Sequence, residues 1–392
     1  MWAPVSVSGS LKTKTGWGML QFRADPGTGT GLVSGIAAGT MTETQLRGTI
    51  MTAYFIRRLL LIVPTFIGIT ILVFVITRFV PGGPIERIIA QARQMQMAGY
   101  GSGPAAPGSQ TQPLSDEQLR TLKEYYGFDK PVLASYFSWL YKVLQGDLGV
   151  STRYYDPVWD MIKERIPISL YFGILSLVIV YGVCIPLGIA KAVRHKSGFD
   201  NVSSALIFIG YAVPGWVVGV FLLVLLASHW EIFPLGGLVS EQFEDFSLWQ
   251  KIADLAWHTV LPLTSYVLGS FAVMTFLMKN TLMDNLAADY VRTAMAKGLS
   301  FRAAVFRHAL RNSLIPMATS FGNNISVILS GSFLIEKVFN IDGMGLLGYE
   351  SVVERDYPVV MGILVISALL FMIGNILSDL CVALVDPRVK FE

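Results

Sequence analysis

Charge is the first thing this sequence lacks. Asp, Glu, Lys and Arg make up 15% of the 392 residues, while 53% are hydrophobic. A soluble domain usually carries about 25% charge, so an ordinary water-soluble domain is excluded. Cysteine is nearly absent: Cys184 and Cys381 both lie in apolar runs, where a free thiol behaves as a small apolar side chain. That excludes a disulfide framework. The four histidines, His195, His229, His258 and His308, are scattered without ligand spacing, so no metal site is implied. No Gly-Lys dipeptide occurs anywhere in the chain, which excludes a GxxxxGK[ST] phosphate loop. No catalytic constellation and no cofactor are read from the pattern. A net charge of +3 is too small to argue for nucleic acid.

What is present is length in the apolar runs. A helix needs roughly 20 mainly apolar residues to cross a bilayer, and six runs qualify, near 59–77, 168–190, 202–227, 259–278, 314–335 and 359–385. The expected fold is all-α, an integral membrane protein with six transmembrane helices. Basic residues favour the cytoplasmic side of such proteins. Arg57 and Arg58 open the first run, Lys191, Arg194 and Lys196 follow the second, and a basic stretch follows the fourth. The segments 228–257 and 336–358 instead favour acids, among them Glu231, Glu244, Asp254, Asp342, Glu350, Glu354 and Asp356. Both termini are therefore expected in the cytoplasm.

Four regions follow from composition. Residues 1–50 are rich in Gly, Ser and Thr and are expected to be a disordered extension. Met51 opens a self-sufficient membrane start, so the extension is read as a candidate start-site artefact. Residues 51–80 form the first span. Residues 81–166 form an extracytoplasmic insertion between the first and second spans. Its first part, "MAGYGSGPAAPGSQTQP", cannot build a core. Its second part is expected to be helical. Ser115 and Gln118 fit a capping box, with Leu114 and Leu119 as its staple, and Gly127 closes that helix. Another helix runs from Pro131 to Leu144. A third has Asp156 as N-cap and Pro157 as first residue and leads into the second span. These helices either cover the outer mouth or pack on the outer helix ends. Residues 167–392 form the core, with a cytoplasmic loop at 280–313.

That loop contains "DYVRTAMAKGLSFRAAVFRHALRN". Asp289 is the expected N-cap of a two-turn helix, Gly298 its terminator, and Ser300 the cap of a helix running into the fifth span. The result is a helix-turn-helix elbow. Its small residues Thr293, Ala294 and Ala296 would let a partner approach closely, flanked by Arg292 and Lys297. The other reading is a basic loop touching anionic membrane lipid.

The same stretch resembles the cytoplasmic coupling loop of ABC-importer permeases, in the variant of the form YVRTAxAKGLS…RHALRN found in dipeptide and oligopeptide permeases. Against the general motif of that loop, Glu-Ala-Ala falls on Arg292, Thr293 and Ala294, with one match. The resemblance extends from Met51 to Glu392 through "YFIRRLLLIVPT", "PGGP", "YGFDKP", "GDLGVS", "IPISL", "FNIDGMGLLGYESVVERDYPVVMG" and "LVDPRVKFE". "GIAKAVRHKSGFD", "IGYAVPGW" and the Gly/Pro tract are most similar to the Yej-type branch, associated with oligopeptides and microcin C. The resemblance implies a second permease subunit, two ATPase subunits, a periplasmic peptide-binding protein and a peptide substrate. It also implies that Asp289, Arg292, Thr293, Ala294, Lys297 and Gly298 couple ATP-driven motion to the membrane helices. Permeases for nickel, opines and oligosaccharides share this framework and remain alternatives.

Elsewhere, Asn323, Asn324, Ser326 and Ser330 recur on the fifth run, either lining a polar path or bonding a neighbouring helix. Asp379 is expected to snorkel or to bond Arg388. Gly215 and Gly219 form a small-residue patch suited to helix packing, and Pro64, Pro186 and Pro214 mark kinks. A secondary transporter would carry mid-span carboxylates, which are essentially missing.

Overall fold

A computed structural model describes residues 43–79, 120, 130–329 and 331–385, with backbone alone at 43–55, 79, 323 and 325–329. The chain divides into two units, Met1–Gly48 and Thr49–Glu392, and the contacts below lie in the second. The first helix, α1, runs Glu43–Phe79 and so begins upstream of Met51. It is followed by α2 (Val132–Leu144), α3 (Val158–Val193), α4 (Gly198–Ala212) and α5 (Gly215–Leu222). Then come α6 (Leu248–Ala287), α7 (Asp289–Ala296), α8 (Phe301–Ala304), α9 (Leu310–Ser313) and α10 (Ile315–Leu329). The last three are α11 (Phe333–Val338), α12 (Met344–Val353) and α13 (Tyr357–Val385). The Ser115 capping box, its leucine staple and Gly127 lie outside the described residues.

Among the described residues, four helices are long and apolar enough to cross a membrane: Ile56–Arg78 within α1, then α3, α6 and α13. The third expected span, 202–227, is not a straight helix, because α4 and the segment Gly215–His229 meet at 89°. The cause is local. Val213 precedes Pro214, and a residue before proline is driven out of the helical region; its backbone sits at φ −103, ψ 126. The fifth expected span is also interrupted. Its helix α10 stops at Leu329 and α11 begins at Phe333, with Gly331 between them at φ +71.

The start of α3 departs from expectation by one residue. Pro157, not Asp156, occupies the cap position. Asp156 instead turns its backbone carbonyl to the Ser151 N–H at 2.9 Å, while Val158 N–H donates to Gly149 O at 3.0 Å. This turn is docked on the loop between α12 and α13. Ser151 Oγ donates to Asp356, Thr152 N–H donates to Asp356 Oδ1 at 3.1 Å, and Arg153 pairs with Glu354. Nearby, Arg165 grips Asp342 in a fork, Nε to Oδ1 at 2.9 Å and Nη2 to Oδ2 at 2.8 Å. The helix α2 leans on α1, with the Tyr136 ring edge-on to Phe74 at 5.5 Å and its hydroxyl 3.0 Å from Thr70 Oγ1.

Close packing is greatest where side chains vanish. A Cβ on Gly322 of α10 would stand 2.1 Å from Gly374 O of α13, and one on Gly188 of α3 would stand 2.7 Å from Met278 Cβ of α6. Small residues permit such approach where lipid supplies no hydrophobic drive between helices. Gly322→Val is therefore expected to push α10 from α13 and to cost roughly 1–3 kcal/mol, as overpacking does. A lowered thermal midpoint in detergent is the check. Toward the outside, Leu59, Leu60, Val63, Leu72 and Ile76 of α1 are exposed, as a lipid-facing helix requires.

Candidate functional site

The elbow is built from the end of α6 to the start of α10. One residue, Ala288, separates α6 from α7 with an extended backbone, and it takes the cap position in place of Asp289. The interval is too short for Asp289 to stand outside the helix. Asp289 is the first helical residue, where its negative charge suits the helix dipole. The other end follows the sequence. Gly298 has φ +95, its N–H donates to Met295 O at 2.9 Å, and Leu299 N–H donates to Ala294 O at 3.2 Å. This is the left-handed glycine stop that satisfies the last helical carbonyls. Ser300 Oγ accepts from Ala303 N–H and caps α8. The path into α10 is irregular, since a π-helical turn, Val305–Ala309, lies between α8 and α9.

One side chain pins α7 to the bundle. Val291 is fully buried and packs in a cluster with Met278, Leu282, Ala304, Val305 and Ala309. Tyr290 adds a second tether, donating to Asn285 Oδ1 at 2.6 Å and accepting from Asn312 Nδ2 at 3.1 Å. Arg292, Thr293, Lys297 and Gly298 are exposed, and Ala294 is half-buried. So α7 is held rigidly on one side and offers a small-residue, basic surface on the other. Thr281 Oγ1 and Ser313 Oγ exchange bonds with each other's backbone carbonyls at 3.2 and 3.3 Å, fastening α6 to α9.

Sequence reasoning missed an ionic cluster at the same end of the bundle. Asp200 opens α4 and is buried, as are Lys191 at the end of α3 and Lys279 in α6. Lys279 Nζ donates to Asp200 Oδ1 and Oδ2 at 2.7 and 2.8 Å. Lys191 Nζ lies 3.1 Å from Asp200 Oδ1 and donates to Asp200 O, Ser203 Oγ and Ser204 Oγ at 2.7–2.9 Å. Lys196 N–H donates to Asp200 Oδ2 at 3.1 Å. Three helices are thereby tied through one carboxylate, at the root of the elbow. The signal in the sequence was a lysine, Lys279, at the end of an apolar run; Lys191 was read for topology alone.

A second feature lies inside the bundle. A cavity of about 260 Å³ is bounded by α3, α5, α6 and α10. Its polar side chains are Ser176, Tyr181, Ser265, Tyr266, Ser270, Asn324 and Ser332, with Trp216 as an aromatic wall. Among the described residues, no charged side chain lines it. Asn324 Nδ2 donates to Tyr181 Oη at 3.1 Å, and Tyr181 Oη donates to Met317 O at 3.1 Å. Asn324 thus lines a cavity and also bonds a neighbouring helix. The side chains of Asn323 and Ser326, and all of Ser330, lie outside the described residues. Gly215 and Gly219 pack against α6 as expected: a Cβ on Gly215 would meet Ser265 O at 2.3 Å. Asp379 is bonded by Arg58 of α1, Nε to Oδ2 at 2.6 Å; Arg388, its expected partner, lies outside the described residues.

An all-helical bundle with lipid-facing helices, a polar uncharged cavity and a rigid exposed elbow is a membrane transport component. Residues 184–391 match the family described as binding-protein-dependent transport system inner membrane component, and the chain belongs to that family. It is 41% identical over 360 residues to the peptidoglycan transport system permease protein YejB of Agrobacterium fabrum, covering 87% of this chain and 99% of that protein. It is 41% identical over 363 residues to the inner membrane ABC transporter permease protein YejB of Escherichia coli O157:H7, covering 87% and 100%. The oligopeptide transport system permease protein AppB of Bacillus subtilis is 34% identical over 342 residues, with 87% and 100% covered. The chain is a permease subunit of an ABC importer.

Proposed function

We propose that this permease forms the translocation path for oligopeptides, including peptide antibiotics such as microcin C, delivered by a periplasmic binding protein. It works beside a second permease subunit and is driven by two separate ATPase subunits, which carry the hydrolysis. The elbow supports this reading most directly. A helix anchored by Val291 and Tyr290, with Arg292, Thr293, Ala294 and Lys297 turned outward, transmits a push as a rigid body. ATP-driven closure of the partners would swing α6 and α10 between two packings, a hinge-type transition. Peptides expose backbone amides that need partners, and the hydroxyl and amide lining of the cavity offers them without fixing a net charge.

In this reading the bent α4–α5 pair and the interrupted α10–α11 complete six spans, both termini face the cytoplasm, and the insertion before α3 faces outward. The peptidoglycan named for the Agrobacterium relative makes peptides bearing amino sugars a second substrate class, favoured by the Trp216 wall.

The test is twofold. Tagged protein purified in mild detergent from native membranes is expected to retain a soluble ATPase, identified by mass spectrometry. Membranes holding the complete importer are expected to accumulate labelled oligopeptide on ATP addition. A preparation free of ATPase, from membranes known to contain one, would mean that the elbow does not hold the ATPase in the way proposed. Accumulation competed by muropeptides but not by plain peptides would shift the substrate to the second class.

A further inference from the structure

One buried acid has no part in the elbow or in the cavity lining. Glu336 of α11 is 1% exposed. Its Oε1 accepts from Ser332 N–H at 3.1 Å and from the Tyr266 hydroxyl at 3.2 Å, and its Oε2 accepts from Leu346 N–H at 2.6 Å. The Ser332 N–H also reaches the Tyr266 oxygen at 3.3 Å. A buried carboxylate is costly unless hydrogen-bonded, and this one is held by neutral donors.

The space for it is made by glycines. A Cβ on Gly331 would stand 2.3 Å from Glu336 Oε1, and one on Gly343 would stand 2.6 Å from Glu336 Cδ. Gly331 also carries φ +71, so any side chain there is both strained and obstructed. The carboxylate therefore joins the break between α10 and α11, the first turn of α12, and the middle of α6. Two of these partners, Tyr266 and Ser332, line the cavity. The third belongs to the segment that continues from Asp342, which Arg165 grips.

We propose that Glu336 is a positioning residue that latches the cavity wall to the 341–343 loop and the first turn of α12 that follows it. Displacing that loop gives up the Leu346 bond and releases Tyr266 and Ser332, so loop movement and access to the cavity are one event. The inference rests on the cavity being the substrate path.

The latch is tested in membranes holding the assembled importer, with Cys184 and Cys381 replaced by alanine and Ser270→Cys as a reporter. Glu336→Gln keeps the shape but turns an amide N–H toward a backbone donor. It is expected to speed modification of the reporter by a small charged methanethiosulfonate on the order of tenfold, the effect of losing one or two hydrogen bonds. A second reporter, Glu241→Cys on the exposed turn before α6, is expected to react at the parent rate. Tyr266→Phe should raise Ser270→Cys labelling in the same direction but less, and add little to Glu336→Gln. Parent-like labelling in Glu336→Gln, or an equal rise at both reporters, overturns the latch. Should Glu336→Gln fail to assemble, parent-like labelling in Tyr266→Phe overturns it equally. Protection of the reporter by transported peptide in the parent tests the path reading separately, since its absence leaves the ratio between variant and parent intact.

Discussion

Asp200→Ala is expected to be the most damaging single substitution for folding, at about 3–5 kcal/mol, the cost of stripping one partner from a buried ion pair. The reason lies in what remains. Lys279 loses both of its carboxylate contacts, at 2.7 and 2.8 Å, and its ammonium is left nearly inaccessible to water. Lys191 keeps three acceptors through Asp200 O, Ser203 and Ser204 but loses its counter-charge. Pairing Asp200→Ala with Lys279→Met should cost less than the sum of the two changes, because each removes the reason for the other's penalty. Thermal midpoints in detergent and the amount of protein in the membrane measure this. If Asp200→Ala melts like the parent, the carboxylate does not bind α3, α4 and α6 together.

Ala294→Trp carries the largest expected effect on transport. If α7 is the coupling helix, an indole at this half-buried position holds the helix off its partner without touching Val291 or Tyr290, which keep it on the bundle. Uptake should fall by on the order of tenfold or more, as when a central interface residue is spoiled, while the protein stays folded and any ATPase that remains bound hydrolyses without transport. Gly298→Val should act similarly, because a β-branched residue at φ +95 is strained and the helix loses its stop. Uptake assayed together with ATP hydrolysis separates coupling from assembly. Full uptake in Ala294→Trp would remove the lever from residues 289–296.

The elbow was readable in detail because its signals are local. A glycine after two helical turns and a serine before the next are each decided by a few neighbouring backbone bonds, and both Gly298 and Ser300 do what their types suggest. Even there, one residue of spacing moved the cap from Asp289 to Ala288, and from Asp156 to Pro157 at α3. Asn324 was legible because amide side chains in an apolar run need partners. Tyr181, Ser265, Tyr266 and Ser270, which share the cavity with it, were not singled out, since single hydroxyls on different helices carry no common pattern until the helices meet.

Apolar length and scarcity of charge were enough to establish a helical membrane protein, because every backbone group in lipid must be bonded within its own helix. That requirement acts along the chain and leaves a linear trace. The bond of Asp379 to Arg58, the clasp of Asp200 between Lys191 and Lys279, and the cradle around Glu336 join residues far apart in sequence. Their energies depend on distance and burial, which apolar periodicity does not encode. So the membrane class and the elbow were written in the order of residues, while the clamp, the cavity and its proposed latch arose when helices packed and left each buried charge a single geometry in which to be satisfied.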